Sequence, residues 1–115
     1  MIEATIIKYL TDAEIPEIGP HIYAETPAEN IPENYVLIRR TGGSMADYIR
    51  THNIYTETVG KDRLTTLRNH EAVIAAMLEI RDHTELMACR LNSDYDATTT
   101  RTKDYRYQAL WQITK

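Results

Sequence analysis

The chain has 115 residues, 43% of them hydrophobic and 26% charged, which suits one folded domain built on one core. Its formal net charge of -4 excludes wholesale wrapping of nucleic acid, which needs a basic surface. No apolar run approaches the ~18 residues of a membrane span, MIEATIIKYL is too short and mixed for a signal peptide, and the single Cys89 forms no internal disulfide.

Ile2, Ile6, Tyr9 and Leu10 recur at helical spacing and predict a short N-terminal helix. Pro16, Gly19 and Pro20 end it. His21 to Glu25 is a brief strand candidate, and TPAENIPEN (Thr26 to Asn34) reads as an exposed loop. Asp12, Glu14, Glu17, Glu25, Glu29 and Glu33 fall in this region with no Lys or Arg between them, whereas the chain from Tyr35 onward is slightly basic. Tyr35 to Arg40 is the best early strand, and Thr41-Gly42-Gly43-Ser44 opens a flexible turn or loop that runs to about Asp47. Tyr48 to Val59 is the next strand. His52, Ile54, Thr56 and Thr58 share one face and Asn53, Tyr55, Glu57 and Val59 the other. Both faces carry polar residues, so an exposed face or a sheet edge is expected.

The longest helical pattern is Leu64 to Ile80. Leu64, Leu67, Ile74 and Leu78 define its stripe, with Val73, Met77 and Ile80 widening it, and Asp62 stands ready as the N-cap. Leu67, Ile74, Met77 and Leu78 are expected to be buried. Arg81 to Thr84 is a short connection, Glu85 to Leu91 a strand, and Asn92 to Asp104 a polar loop that is long for a hairpin. Tyr105 to Thr114 alternates cleanly, which places Tyr107, Ala109 and Trp111 on one side. The predicted architecture is a single α+β domain over residues 1–115. A mainly antiparallel sheet of about five strands is covered by one long helix, with a short helix at the N-terminus.

No chemical motif survives inspection. His21, His52, His70 and His83 are scattered and read as solvated or packed residues. Cys89, between Met87 and Leu91 on its side of a strand, reads as a structural thiol. The Gly42-Gly43 step lacks the spacing and lysine of a phosphate loop. Asn92, Asp94 and Asp96 alternate as a calcium loop begins, but Ala97 and Lys103 occupy its glycine and glutamate positions. Arg39-Arg40 and Arg101-Thr102-Lys103 are small basic clusters. No catalytic residue, cofactor or metal is expected.

The order of elements resembles the tail-terminator or tail-completion proteins of long-tailed bacteriophages and prophages. The features that carry the likeness are the short helix IIKYL, the loop TPAENIPEN and the strand entering a double glycine in YVLIRRTGG. The helix rich in Ala and Leu and the Tyr105-Arg106-Tyr107 step complete it. The resemblance implies a structural virion protein, made in the host cytoplasm, that forms a ring of six copies. That ring caps the tail tube in the neck, meets the head-tail connector and lets DNA pass without reading its sequence; no membrane is involved. Its subunits would meet through heterologous patches. The candidate contacts to neighbours or tail tube are Arg39, Arg40, Ser44 and Asp47 in the first polar loop, and Asp94, Tyr95, Thr99, Arg101 and Lys103 in the second. The acidic segment competes with them. The alternatives are a head-completion adaptor or stopper of the neck, or a small ligand-binding or enzymatic α+β domain.

Overall fold

Apolar residues at Ile2, Ile6 and Leu10 wind the N-terminus into helix α1 (Ile2–Asp12), whose buried side they form. β1 (Ile22–Tyr23), β2 (Tyr35–Ala46) and β3 (Ile49–Gly60) follow, then α2 (Arg63–Leu78), a short 3-10 turn (Ile80–Asp82), β4 (Ala88–Asp96) and β5 (Tyr105–Thr114). The computed structural model describes residues 2–86, 88–101 and 103–115; Met87, expected beside Cys89, lies outside them. The strands form one sheet in the order β1-β2-β3-β5-β4. β1 pairs parallel to β2, through Ile22–Val36 and Tyr23–Leu37, and the other pairs are antiparallel.

Both helices contribute to one core, where Ile6, Leu10, Val73 and Met77 cluster with Val36, Ile38, Ile54, Ala109, Trp111 and Ile113 of the sheet. On β5 the burial alternates, with Tyr107, Ala109, Trp111 and Ile113 all inward. The indole N–H of Trp111 donates to Thr56 Oγ1 at 3.1 Å, so a polar atom deep in the core is satisfied. The opposite face carries a smaller cluster of Tyr35, Leu37 and Val59, with Tyr23 against it. Arg106 on that face bonds Glu57 and Asp104, at 2.7 and 3.0 Å.

Four expectations need correction. The N-cap of α2 is Asp62, whose carboxylate accepts from Thr65 N–H at 2.9 Å, but the helix is rotated from the face that its leucines suggest. The buried positions are Thr66, Asn69, His70, Val73 and Met77. Leu64 and Leu78 are 58% and 53% exposed, and Leu67 and Ile74 are half-buried. Two of the inward polar side chains meet partners there: Thr66 Oγ1 donates to Asp62 O at 2.6 Å, and His70 Nε2 bonds the Asp94 carboxylate, whereas Asn69 Nδ2 and His70 Nδ1 meet none among the described residues. β3 is not an edge strand, because β2 and β5 flank it. The span Thr41 to Ala46 is not a flexible loop but the outer half of β2. Asn92 to Asp96 likewise continues β4.

Candidate functional site

β2 and β3 are each twelve residues long, and they outlast the rest of the sheet. β5 ends at Thr114, opposite Thr51, and β1 covers β2 only at Val36 and Leu37. From Arg39 to Arg50 every residue is exposed except the half-buried Gly42. The ribbon reaches two residue pairs and the turn beyond β5, on the order of 10 Å at ~3.4 Å per residue. It helps to stretch the molecule to 44 Å in one direction against 27 and 25 Å in the others.

The arm closes in a two-residue turn at Asp47 and Tyr48, whose φ angles are +50° and +65°. Two left-handed residues in a row make the type I′ turn that matches strand twist. Tyrosine is a poor choice there, since a left-handed L-residue costs roughly 1–2 kcal/mol. Its ring is 99% exposed, with Met45 and Ile49 at 65% and 47% beside it. Strain and a bare aromatic coincide at the tip, a combination that marks contact sites rather than folding devices.

At the root of the arm lies a cleft of about 490 Å³ lined by Ile2, Glu3, Arg40, Arg50, His52 and Lys115. A register shift between Arg40 and Gly42 bends β2 here. Arg40 lies back over the glycine that follows. A Cβ on Gly43 would meet the Arg40 guanidinium and would stand 2.6 Å from Thr51 O. Arg40 Nε donates to His52 Nδ1 at 3.0 Å. That bond fixes the tautomer, because a nitrogen that accepts cannot carry the proton, and leaves Nε2–H as donor. The imidazole is 5% exposed, and Nε2 has no hydrogen-bond partner. Burial, then the charges of Arg40 and Arg50, hold the His52 pKa below its ordinary value, so the ring is uncharged.

The far end of the sheet is built differently. Between β4 and β5 the chain is pinned, with Ala97 N–H donating to Arg106 O at 2.8 Å and Arg106 N–H to Thr98 Oγ1 at 3.0 Å. Asp96 accepts from Thr98 N–H at 2.9 Å and from Arg63 at 3.3 Å, and the Thr98 bonds hold its pKa low. With Asp96 so engaged and Asp94 on His70, the calcium-like alternation is spent on protein contacts. Cys89 is half-buried, and burial pushes its thiol up to about 11, far from a nucleophile's range. A second, open cleft of about 680 Å³ lies between α1 and the end of α2. There Tyr9 donates to Ala76 O at 2.6 Å and stacks on His83. Among the described residues no group of three or more His, Cys, Asp or Glu could hold a metal, and no helix is long and apolar enough to cross a membrane.

The nine residues singled out by sequence therefore separate. Arg39, Arg40, Ser44 and Asp47 lie on the arm; Thr99, Arg101 and Lys103 lie between β4 and β5 at the opposite end. Asp94 and Tyr95 sit on β4 with their polar groups engaged by His70 and Gln108. Arg50 and Lys115 of the cleft escaped the sequence reading, and His52 entered it only as a solvated or packed histidine. The one signal available was that His52 shares the alternating face of Ile54 and Thr56, which the structure buries.

No family model matches the sequence, and no curated protein matches it. The fold recurs in a virion. A chain of a solved structure, described as the virion of a native gene transfer agent (GTA) particle, superposes with a TM-score of 0.73. The match covers 98% of this chain and 92% of that one at 13% identity. What is shared over that span is the fold.

Proposed function

We propose that this chain is a structural virion protein of a phage-like particle, and that six copies close into a ring capping the tail tube where it meets the head connector. The observation that carries this reading is the full-length likeness in fold to a chain of the GTA virion. The arm supports it. An exposed, strained ribbon tipped by Tyr48, Met45 and Ile49 contributes little to the subunit's own core and suits contact with a neighbour. Candidate contacts also stand at two opposite ends of the sheet, the arm and the β4–β5 segment. A head-to-tail ring needs such a division, since each copy meets two neighbours through different patches. In this role the arm residues Arg39, Arg40, Ser44 and Asp47 face one neighbour or the tail tube. Thr99, Arg101 and Lys103 face the other, with Asp94 and Tyr95 at the margin.

The test is electron microscopy of tails assembled with the protein. A six-fold ring of this fold at the head-proximal end of the tube is the expected result. Density on the portal side of the neck would assign it to an adaptor or stopper instead, and tails carrying no copy would end the proposal.

A further inference from the structure

The cleft at the root of the arm has the makings of a binding site that the ring alone does not explain. Three cationic side chains, Arg40, Arg50 and Lys115, converge on it. Lys115 is shared with Glu85 at 3.4 Å, whereas Arg40 and Arg50 form no ion pair among the described residues. Glu3 supplies the one carboxylate of the lining. Behind this wall stands His52, 5% exposed, whose Nε2–H is closed to solvent and meets no acceptor among the described residues. A buried N–H left unpaired costs about 1–3 kcal/mol, and here Arg40 enforces the tautomer that creates it. Gly43 in turn lets Arg40 lie where it does. Positive charge thus gathers at one cleft, with His52 buried behind Arg40.

From this geometry we infer that the cleft is an oxyanion site, and that its ligand is a carboxylate presented by a second copy of this chain. The ligand takes charge-assisted bonds from the guanidinium groups of Arg40 and Arg50, and His52, bonded to Arg40 through Nδ1, senses their occupancy. The size of the excess charge favours a carboxylate over a nucleic-acid backbone. Two guanidiniums without ion pairs among the described residues, set against Glu3, leave an excess of one positive charge, and the overall charge of -4 opposes a polyanion. The chain also carries the matching surface. The segment from Asp12 to Asn34 holds six acidic residues and no Lys or Arg, and Glu14, Glu17, Glu25, Glu29 and Glu33 are exposed. It returns to the sheet at Asn34 and Tyr35, beside Gly60 and Val59, which is the end away from the arm. Opposite charges at opposite ends suit head-to-tail contact between copies. The choice of a second copy rests on the ring reading, whereas the anion site itself does not.

The experiment uses the full chain with labelled histidine side chains, followed by NMR at the His52 nitrogens. The probes are acetate, inorganic phosphate, a peptide of residues 24–34 (AETPAENIPEN) and the same peptide with Gln for each Glu. Acetate and the acidic peptide should shift the His52 nitrogens saturably, the peptide more tightly, and the Gln peptide should not. Arg40→Gln and Arg50→Gln should each weaken the effect roughly tenfold to a hundredfold, the range for one hydrogen bond to a charged group. Their unchanged amide spectra would show that the fold is intact. No saturable shift with any probe would overturn the site. A response to phosphate alone would overturn the carboxylate, and a response to acetate but equally to both peptides would overturn the second copy. Microscopy separates this from the ring: a six-fold ring with a silent cleft sinks only the present inference, and a responsive cleft without a ring sinks only the other.

Discussion

One hairpin lives in two environments. Its inner half, Tyr35 to Ile38 against Ile54 to Val59, is buried except at Tyr55, and it supplies Val36, Ile38 and Ile54 to the main core. Its outer half, Arg39 to Arg50, runs through solvent on the same ladder. Backbone pairing alone does not distinguish them; what differs is the side chains, VLI in the first and RRTGGSMADYIR in the second. The inner half is held by burial, at about 25 cal/mol per Å² of apolar surface removed from water. The outer half has almost none, so local devices hold it: the type I′ turn, the bend at Thr41 and the Arg40–Gly43–His52 contact.

Substitutions should separate the halves. The largest effect is expected in the inner one, where Ile38→Ala should cost about 2–5 kcal/mol in chemical denaturation, while Met45→Ala at the tip stays within about 0.5 kcal/mol. Equal losses would mean that the arm packs in the isolated subunit. Next comes Gly43→Ala, where a methyl group must meet Thr51 O and displace Arg40. A loss of about 1–3 kcal/mol is expected, together with a changed His52 ring signal. A smaller effect of opposite sign is expected at the tip. Tyr48→Gly relieves a left-handed residue and should raise stability by about 1 kcal/mol while reducing ring assembly; a variant that is both more stable and fully competent would make the tyrosine decorative.

The smallest effect lies on the border, at His52. Its folded pKa sits below the ordinary 6.5, so the unfolded chain takes up a proton that the folded one refuses. Its contribution is therefore complete above 6.5 and is lost as pH falls from 6.5 toward the folded value, below which nothing further changes. His52→Gln should flatten that part of the stability profile, and an unaltered slope would show that this residue is not the source.

Sequence and structure agree where a single face is buried. β5 could be read because Tyr107, Ala109, Trp111 and Ile113 alternate with residues that stay at least partly in water, and Asp62 could be read because capping is local. The face of α2 could not. Its inward side chains Thr66, Asn69 and His70 are polar, and His70 is matched from a strand more than twenty residues away, so local hydrophobicity pointed to Leu64 and Leu78 instead. The turn at Asp47-Tyr48 was hidden for a related reason. The glycines that advertise a turn lie five and four residues before Asp47, where they serve the bend and the seat of Arg40. The α+β class and its strand order along the chain were thus legible, while the cleft was not, because His52, Arg50 and Lys115 come together only through pairing.

The placement of β5 has a consequence for how the molecule comes into being. The strand that comes last in sequence lies between β3 and β4. Its nearest partner along β3, Gly60 for Tyr105, is 45 residues away. During synthesis the β2–β3 hairpin and α2 can form early, since their contacts are local, yet β3 then shows an open edge until Tyr105 to Thr114 arrive. Closing the sheet is therefore a late, long-range step, and until then the nascent chain offers an unpaired strand to any neighbour. Trp111, fully buried only once β5 is seated, would report the moment of closure by its fluorescence.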